Sequence, residues 1–392
     1  MDTSFESIRE KDDAYIEHTY GRFPVAFESG EGPILRDYAG REYIDFTSGI
    51  GVNIFGIADP EWKAAVTEQL GKLQHTSNLY YTKPQTELAQ LLCEKSGASR
   101  VCFQNSGAEA NECAIKAARK YNSDRYGEGK RYEILVLENS FHGRTVTTLS
   151  ATAQPAFHRH FNPFTEGFRS FPADDFGAFE RTVSEKTGAV MMELVQGESG
   201  VRLLDPGFIV QVAEYCREHD ILLIVDEVQT GNGRSGWMYS YQAFGLRPDL
   251  VTTAKGLGGG LPIGACLFFE KTRDVFAPGD HGSTFAGNPV CCAGAVSVVR
   301  RIDADLLEGV NRKGWRLYAE IGKLRNVEKV SGMGMMIGIK TAKPARAVAD
   351  RCLEMGLLVL TAHDRVRLLP PLNIDDGTLG KGLNILKEAI EE

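Results

Sequence analysis

Six short apolar runs, separated by stretches with a helical pattern, place the strongest constraint on how this chain folds. The run at 221–225 reads Ile-Leu-Leu-Ile-Val, which is too short for a helix and typical of a parallel strand covered on both faces. Alternation of such runs with helical patterns predicts an α/β fold, with a mostly parallel, doubly wound sheet in a large domain. The strands are expected at 101–104, 133–138, 189–195, 221–226, 250–254 and 264–269.

A carboxylate and an amine stand at the ends of two of these runs. Asp226 ends one run, and Lys255 follows the run at 250–254 and precedes a glycine-rich stretch. Taken singly, such an aspartate is ordinarily a helix N-cap and such a lysine is ordinarily solvated. Ligands of doubly wound sheets bind outside the carboxyl ends of the strands, so the two groups together indicate a site. Pyridoxal phosphate needs both groups, because an amine condenses with its aldehyde and a carboxylate keeps its ring nitrogen protonated.

A candidate phosphate cradle follows the first of the six runs. Ser106-Gly107-Ala108-Glu109 has the spacing of a capping box, and an alanine-rich helical pattern comes directly after it. A helix N-terminus presents unpaired N–H groups and the positive end of the helix dipole to an anion. Capping boxes begin many helices that bind nothing, so this motif is informative only beside Asp226 and Lys255.

A competing motif lies at 231–236, where Gly-Asn-Gly-Arg-Ser-Gly matches the G-x-G-x-x-G string of dinucleotide-binding folds. Trp237-Met238-Tyr239 follows it instead of a small-residue helix, and only Asp249 stands near the position expected for a ribose-binding acid. We interpret the string as a coincidence. A nicotinamide-dependent dehydrogenase remains the alternative from another class of enzyme.

Charge and cysteine content narrow the partners and the compartment. A net charge of −8 with scattered basic residues argues against a nucleic-acid partner. The acidic first twenty residues do not resemble a secretory leader, and no apolar run reaches membrane-spanning length, so a cytoplasmic protein is expected. The eight cysteines form no C-x-x-C pair, which favours free thiols over disulfides or zinc. His158 and His160 lack companion ligands, so no metal site is expected.

A chain of 392 residues exceeds one ordinary core, so a large and a smaller domain are expected. Residues 1–55, with a short helix and short strands, are interpreted as the N-terminal part of a small α+β domain. Residues 56–285 would form the large cofactor-binding domain, in which Asp59-Pro60-Glu61 begins one helix and 86–94 forms another. Residues 286–392 would complete the small domain with long helices and strands at 335–340 and 366–369.

Seven motifs carry a resemblance to a known family. They are Ser106-Gly107-Ala108-Glu109-Ala110-Asn111, Phe141-His142-Gly143-Arg144-Thr145, Gln196-Gly197-Glu198, Asp226-Glu227-Val228-Gln229-Thr230-Gly231, Lys255-Gly256, Gly282-Ser283-Thr284 and Arg367-Leu368-Leu369-Pro370-Pro371. In this order they resemble the class III aminotransferases, which are pyridoxal phosphate enzymes of fold type I. The resemblance covers nearly the whole chain from residue 20 onward. Residues 20–24 and 77–81 are more similar to the acetylornithine branch than to the ornithine or 4-aminobutyrate branches.

The resemblance implies a pyridoxal phosphate site shared between the subunits of a homodimer. Lys255 would carry the cofactor and move the proton, Asp226 would face the ring nitrogen, and Glu193 would support the polar edge of the ring. Phe141 would stack on the ring and Gln229 would lie beside its hydroxyl. The other cofactor-binding residues implied are Ser106, Gly107, Ala108, His142, Glu227, Val228 and Thr284, of which Thr284 would reach the neighbouring subunit's site.

The implied reaction transfers the δ-amino group of N-acetylornithine to 2-oxoglutarate in arginine biosynthesis. Arg144 would bind the α-carboxylate of the donor and Arg367 that of 2-oxoglutarate or glutamate, because a guanidinium holds a carboxylate through two hydrogen bonds. Glu198 would pair with Arg367 while no substrate carboxylate is there. The remaining substrate-side residues implied are Tyr20 and Ser283.

Three positions depart from the family pattern, and they bear on substrate preference more than on reaction type. Leu194 stands where the family usually has proline, Ala286 replaces a common glycine, and Trp237 with Met238 alters a loop expected near the site. Ornithine, 4-aminobutyrate and N-succinyl-diaminopimelate therefore stay open as alternative donors. A protein that binds the cofactor without catalysis is the further alternative.

Overall fold

The computed structural model describes residues 4–392, so the first three residues of the segment predicted at 1–55 lie outside the described range. Its helices are α1 (Phe5–Tyr15), α2 (Ser48–Gly51), α3 (Pro60–Leu70), α4 (Lys83–Ser96), α5 (Gly107–Tyr126), α6 (Val146–Ala151), α7 (Phe176–Thr182), α8 (Pro206–Glu218), α9 (Pro289–Arg300), α10 (Ala304–Ile321), α11 (Ala345–Glu354) and α12 (Asp376–Glu391). Its strands are β1 (Phe27–Glu31), β2 (Ile34–Asp37), β3 (Glu42–Asp45), β4 (Arg100–Gln104), β5 (Glu133–Leu137), β6 (Phe168–Phe171), β7 (Thr187–Met192), β8 (Val195–Gln196), β9 (Arg202–Leu203), β10 (Leu222–Asp226), β11 (Leu250–Thr253), β12 (Gly264–Phe268), β13 (Val327–Met333), β14 (Met336–Thr341), β15 (Leu357–Leu358), β16 (Leu360–Ala362) and β17 (Arg365–Leu368).

The large sheet has the strand order β4-β12-β11-β10-β7-β5-β6. Its neighbours run parallel except β12, which is antiparallel to both β11 and β4. Alternate residues of β10 enter two different cores: Leu223 and Val225 pack into one, and Leu222 and Ile224 into the other. Because both faces of β10 are covered by packed side chains, apolar residues occupy every position of the run. The predicted mostly parallel α/β sheet is confirmed.

Two strands differ from the sequence prediction for identifiable reasons. The run predicted at 189–195 leaves the large sheet after Met192, and Val195 with Gln196 pairs instead with β9. The departure places the Glu193 side chain beside backbone N–H groups of neighbouring loops. Strand β6 was not predicted, because an edge strand that reads Phe-Arg-Ser-Phe has no continuous apolar run.

Helix starts follow the capping signals of the sequence. Asp59 caps α3 by accepting a hydrogen bond from Trp62 N, as its Asp-Pro-Glu signal predicts. Helix α4 begins at Lys83, three residues before the predicted start. Pro84 lies in its first turn, where a missing N–H costs no helical hydrogen bond.

Segments from both ends of the chain share a four-stranded sheet of order β1-β2-β3-β15. Strand β15 pairs in parallel with β3, with Leu357 opposite Ile44. A second four-stranded sheet has the order β13-β14-β17-β16. Helix α9 packs against α3 and α4, so the C-terminal part of the chain is also joined to the large sheet's surroundings. The domain limits after residues 55 and 285 stay a prediction.

The loop at 231–236 is buried along its whole length. Arg234 Nη1 donates to the carbonyl oxygens of Met335 (3.1 Å) and Pro370 (2.6 Å), which ties the loop to the C-terminal part of the chain. The next helical element is a short 3-10 helix, Ser240–Phe244, rather than a helix that begins at the loop. A loop enclosed in this way has no open backbone for a pyrophosphate, which agrees with the interpretation of the G-x-G-x-x-G string as a coincidence.

Two further properties concern the chain as a whole. Among residues 4–392, no helix combines the length and apolarity that crossing a membrane requires. The eight cysteines, all within the described range, are free thiols, as predicted.

Gly264 gives a stability test at the junction of the sheet and α5. A Cβ atom at Gly264 would lie 2.3 Å from the Ser106 carbonyl oxygen, so Gly264→Ala forces backbone apart and should destabilise the fold by about 1–3 kcal/mol. Gly309→Ala is the matched control, because a Cβ atom at this position in α10 would meet no other atom within 4 Å. Alanine there should be neutral or stabilise the helix by up to about 1 kcal/mol. Urea unfolding followed by circular dichroism measures both, and equal midpoints for Gly264→Ala and the wild type would contradict the prediction.

Candidate active site

A cavity of about 510 Å³ opens at the carboxyl ends of the large sheet's parallel strands. Its walls are the segments that follow β4, β5, β7, β10 and β11, which is where doubly wound sheets bind ligands. The predicted site residues that line it are Ser106, Gly107, Ala108, Phe141, His142, Arg144, Glu193, Asp226, Val228, Gln229 and Lys255. The sheet topology thus brings together residues that are up to 149 positions apart in the sequence, from 106 to 255.

Asp226 is a buried carboxylate with a complete set of hydrogen-bond donors. Its Oδ2 accepts from Asn111 Nδ2 and from His142 Nδ1, both at 2.8 Å, and its Oδ1 accepts from Val228 N at 2.9 Å. Because a carboxylate oxygen only accepts, His142 carries its proton on Nδ1. Burial alone would raise the pKa of Asp226, but these hydrogen bonds hold it below its ordinary value. The residue is therefore a fixed negative charge at the end of β10.

Lys255 follows β11 by two residues, begins a short 3-10 helix and lines the same cavity. Burial lowers the pKa of its amine, and the opposite charges of Glu198 and Asp226 only partly oppose this effect. Its backbone has a φ of 44°, in the left-handed region that residues with a side chain seldom adopt. Such strain is retained only where the surrounding structure fixes one conformation.

The N-terminus of α5 forms the predicted cradle. Ser106 caps the helix by accepting from Glu109 N at 3.2 Å, and the Glu109 carboxylate accepts from Asn105 N at 2.8 Å rather than from Ser106 N. A Cβ atom on Gly107 would lie 2.6 Å from Val228 Cγ1, so only glycine lets α5 approach the end of β10 this closely. The helix of 20 residues directs its free N–H groups at the cavity.

The Glu193 carboxylate and the backbone N–H group of Phe141 form another polar part of the cavity lining. Glu193 accepts hydrogen bonds from Phe141 N at 2.9 Å and Gly197 N at 3.3 Å. Burial raises the pKa of Glu193 to about 7; the neighbouring His142 and the two backbone hydrogen bonds lower it, and the negative charge of Asp226 raises it. Two carboxyl groups of one cavity therefore differ in protonation near neutral pH.

Arg144 stands at the rim of the cavity with an exposed side chain. Its guanidinium carbon lies 4.2 Å from the centroid of the Phe157 ring and 5.6 Å from that of Phe141. Within residues 4–392, no hydrogen bond or ion pair engages its side chain, since aromatic rings are its partners. Its N–H groups are thus free to meet a carboxylate.

Arg367, in contrast to Arg144, is paired with a carboxylate. It is buried, and its Nη1 donates to Glu198 Oε1 at 2.5 Å and to Gln229 Oε1 at 3.0 Å. Gln229 Nε2 donates to the same Glu198 oxygen at 3.2 Å. Burial opposes ionisation of Glu198, yet the charge and hydrogen bond of Arg367 lower its pKa. Glu198 and Arg367 do not line the cavity themselves and are joined to it through Gln229.

Four other predicted site residues lie outside the cavity lining. The Glu227 carboxylate points into the protein, where Ser240 Oγ donates at 2.7 Å and Tyr241 N at 2.9 Å. Ser283 Oγ accepts from Asn105 Nδ2 of its own chain at 2.8 Å, and Thr284 is exposed. Tyr20 is 75% exposed and has Arg22 over its ring. A single chain therefore does not bring Tyr20, Ser283 or Thr284 into its own cavity.

The three departures from the family pattern have different surroundings. Leu194 is fully buried in the main core. The Ala286 carbonyl oxygen accepts from Asn78 Nδ2 at 2.8 Å. Trp237 does not line the site, contrary to the expectation of a loop near it, because it lies on a separate surface pocket of about 430 Å³ with Trp315 and Tyr318.

Sequence reasoning missed part of the lining. Asn111 was quoted only as part of a motif, although its position one turn into α5 could have marked it as facing the same end of the sheet. The stretch at 260–263 has no charged residue and carries no chemical signal. The lining residues not predicted are Val52, Asn105, Asn111, Gly143, Ala254, Gly260, Leu261, Pro262 and Ile263.

The lining has the donor set that pyridoxal phosphate requires. An amine, a fixed carboxylate, an aromatic ring and a helix N-terminus surround one cavity, and its volume lies in the range of small-molecule sites. Asn111 Oδ1 and His142 Nε2 are buried without a hydrogen-bond partner among residues 4–392, so the polar wall has capacity for a polar ligand. The residues present therefore fit this cofactor.

Comparison with known proteins gives one consistent result. The chain is 49% identical over 390 residues to a protein of Haemophilus ducreyi named acetylornithine aminotransferase, covering 99% of each chain. The ornithine aminotransferase of Toxoplasma gondii ME49 superposes with a TM-score of 0.94 at 30% identity, over 99% of this chain and 95% of that one. The N-acetylornithine aminotransferase of Stenotrophomonas maltophilia K279a has a TM-score of 0.83 at 35% identity, over 97% and 98%.

The family model described as aminotransferase class-III matches residues 15–390. This range includes the cavity, both arginines and the cradle. The chain belongs to the class III aminotransferases.

Proposed function

We propose that this protein is a pyridoxal phosphate-dependent aminotransferase that acts on N2-acetyl-L-ornithine and 2-oxoglutarate. The products are N-acetyl-L-glutamate 5-semialdehyde and L-glutamate, and the reaction belongs to arginine biosynthesis. The observation that carries the proposal is the contrast between the two arginines: Arg144 is free at the cavity rim, whereas Arg367 is paired with Glu198. Such a pair of sites suits two substrates whose carboxylates lie at different distances from the reacting nitrogen.

The residues around the cofactor site would have different chemical roles. When bound, pyridoxal phosphate supplies an aldehyde that accepts the amino group and a ring that withdraws electrons from the reacting carbon. Asp226 would hold a negative charge beside the ring nitrogen, where its three hydrogen bonds fix its position. Lys255 would take and return the proton at the reacting carbon, and burial favours the neutral amine that a base requires. Ser106, Gly107 and Ala108 would hold the phosphate at the N-terminus of α5.

The surroundings of Arg144 favour an acylated donor over ornithine. Arg144 has no acidic side chain within ion-pair distance among residues 4–392. Ornithine would bring a free α-ammonium group next to this guanidinium, and two uncompensated positive charges repel. Acetylation removes the ammonium charge and leaves the carboxylate that Arg144 can hold. The names of the relatives at 40–49% identity support the same donor.

A four-donor assay tests the proposal. Purified protein is loaded with pyridoxal phosphate and offered N-acetylornithine, ornithine, 4-aminobutyrate or N-succinyl-diaminopimelate, with 2-oxoglutarate as acceptor and glutamate as the measured product. The highest kcat/KM is expected for N-acetylornithine. A higher value for one of the other three donors would replace the proposed substrate, and no glutamate from any donor would overturn the proposal.

We also propose a homodimer, and a cytoplasmic location for this biosynthetic reaction. The segment at 70–81 contacts residues 285–288, and the two segments expose large apolar side chains; they are Leu70, Leu73, Leu79, Tyr80, Tyr81 and Phe285. The two segments are held together by Asn78 and Asn288, which donate to backbone oxygens across the contact. A second copy that covers this surface would bury these side chains and bring Thr284 to the partner's cavity.

Lys255→Ala should abolish the covalent link to the cofactor while leaving a folded protein. The phosphate and ring contacts lie on other residues, so noncovalent binding is expected to persist. Turnover should fall by roughly 10²- to 10⁴-fold or more, because the general base is lost. Borohydride treatment followed by intact-protein mass spectrometry should add the reduced cofactor to the wild type and nothing to the variant. Attachment in the variant, or near-normal turnover, would contradict the role of Lys255.

Glu198→Gln should separate the two half-reactions. Arg367 loses its charged partner and stays available to glutamate, so the half-reaction with glutamate should be preserved or faster. The half-reaction with N-acetylornithine offers Arg367 no carboxylate and should slow by about tenfold, since a buried charge is left uncompensated. Rapid mixing measures each half-reaction by absorbance. Glu320→Gln, in an ion pair with Arg316 on α10, is the matched control. Equal losses in both half-reactions of Glu198→Gln would leave Glu198 with a purely structural role.

Phe285→Asp should weaken the proposed dimer. A carboxylate on this 62% exposed position would have to be desolvated between the two copies, which disfavours association. Trp315→Asp is the control, because Trp315 is 73% exposed on α10 and outside the surface formed by 70–81 and 285–288. Sedimentation velocity should give twice the chain mass for the wild type and the control and a shift toward monomer for Phe285→Asp. A monomeric wild type would refute the dimer.

A further inference from the structure

We propose that Phe157 is a positioning residue that fixes the Arg144 guanidinium for the carboxylate of the amino donor. The proposal rests on the proposed function, in which Arg144 binds that carboxylate. It assigns to Phe157 a role in donor affinity rather than in the chemistry of the reacting carbon.

The geometry places Arg144 against two aromatic rings. Phe157 is the last residue of a 3-10 helix, Pro155–Phe157, and its side chain is half-buried. The Arg144 guanidinium carbon is 4.2 Å from its ring centroid, well inside the roughly 6 Å over which a cation and a ring face attract. The Phe141 ring is the second contact, at 5.6 Å, and its centroid lies 5.8 Å from that of Phe157 with an interplanar angle of 74°.

Ring contacts hold an arginine in a way that a carboxylate partner would not. A guanidinium forms its hydrogen bonds with N–H groups at the edge of its plane, whereas an aromatic ring covers its face. An acidic partner would occupy the same edge that a substrate carboxylate needs. Stacking on Phe157 restricts the long side chain and leaves the edge open for a two-pronged contact. The cost of ordering Arg144 is then met before the donor arrives.

Phe157 is itself fixed relative to the cavity. Phe157 N donates to Gln154 O at 3.0 Å, and Gln154 Nε2 donates to the carbonyl oxygens of Asn139 and Ser140, directly before Phe141. His158 Nε2 lies 2.6 Å from Thr152 O and anchors the other side of the turn. These hydrogen bonds join the segment that carries Phe157 to the segment that carries Phe141 and Arg144. They therefore hold Phe157 at a fixed position relative to Arg144.

An unreactive ligand tests the role without turnover. N-acetyl-L-norvaline has the acetyl group and α-carboxylate of the proposed donor but no δ-amine, and its binding to cofactor-loaded protein is measured by isothermal titration calorimetry. Phe157→Leu should raise its Kd by about three- to tenfold, because leucine has no ring face for the guanidinium. Phe157→Tyr keeps the ring and should stay within about twofold of the wild type. Phe168→Leu removes a half-buried ring that the Arg119 guanidinium covers at 5.3 Å, outside the cavity lining, and should leave Kd unchanged. An unchanged Kd in Phe157→Leu, or an equal loss in Phe168→Leu, would overturn the proposal.

A double-mutant cycle shows whether Phe157 acts through Arg144. The donor half-reaction is measured for the wild type, Phe157→Leu, Arg144→Ala and the double variant. Phe157→Leu should lower kcat/KM mainly through KM and leave kcat largely unchanged. In the Arg144→Ala background the same change should have no further effect. Additive losses would assign Phe157 a general structural role and overturn the proposal.

The two proposals fail in distinguishable ways. The cycle is run with whichever carboxylate-bearing donor gives the highest wild-type kcat/KM in the four-donor assay. If that donor is not N-acetylornithine, the proposed substrate is wrong, while a non-additive cycle still supports Phe157 and an additive one still refutes it. N-acetyl-L-norvaline binding serves when N-acetylornithine is the donor selected.

Discussion

The buried carboxylate of Asp226 is the constraint on which the rest of the site depends. An ionised carboxylate with 4% exposure is strongly destabilising unless donors surround it. Those donors come from three separate parts of the chain: Asn111 on α5, His142 after β5 and Val228 after β10. Satisfying one side chain therefore fixes a helix and two strand ends relative to each other. The cavity is the space that this arrangement leaves beside the N-terminus of α5.

The same cavity is lined by a second carboxyl group, whose pKa is shifted in the opposite direction. Glu193 accepts two backbone hydrogen bonds, but burial and the negative charge of Asp226 raise its pKa to about 7. When two carboxyl groups share an enclosed site, the one with stronger donors takes the charge and its neighbour is more easily protonated. Asp226 has a histidine and two N–H groups and remains charged. The pKa of Glu193 therefore lies well above that of its neighbour at the end of β10.

Sequence was sufficient for the parts of the site that coincide with strand ends. Asp226, Lys255 and Ser106 are found because apolar runs reveal β10, β11 and β4. These three strands run in the same direction in one sheet, although β12 separates β4 from β11, so their carboxyl ends lie at the same edge. Glu227 shows where this reasoning stops: its neighbour Asp226 faces the cavity, but β10 side chains alternate, so Glu227 faces Ser240 and Tyr241 instead.

Residues without chemical signals could not be predicted. Val52 and the stretch at 260–263 line the cavity because of how their loops pack, and their apolar side chains give no indication of a ligand site. Phe157 gives no signal either, since its value depends on the distance to Arg144 and not on its own chemistry. Thr284 and Tyr20 lie outside the chain's own cavity, so their predicted contribution requires a second copy that no pattern within one chain can display.

The two arginines show how one cavity can distinguish its substrates before any chemistry occurs. Arg367 is neutralised by Glu198, on a loop that is tied to the C-terminal sheet: Ser331 Oγ donates to Val201 O at 2.8 Å, and Arg365 Nη1 to Gly200 O at 3.3 Å. A carboxylate that binds Arg367 must therefore compete with a neighbour that is already in place. Arg144 has only aromatic contacts and presents its charge at the rim without competition. An incoming carboxylate consequently meets its strongest attraction at Arg144, and only a substrate with a further carboxylate gains by displacing Glu198. Under the proposed function, this asymmetry between an arginine held by rings and an arginine held by a carboxylate is what would separate an acylated diamino acid from a dicarboxylic acid.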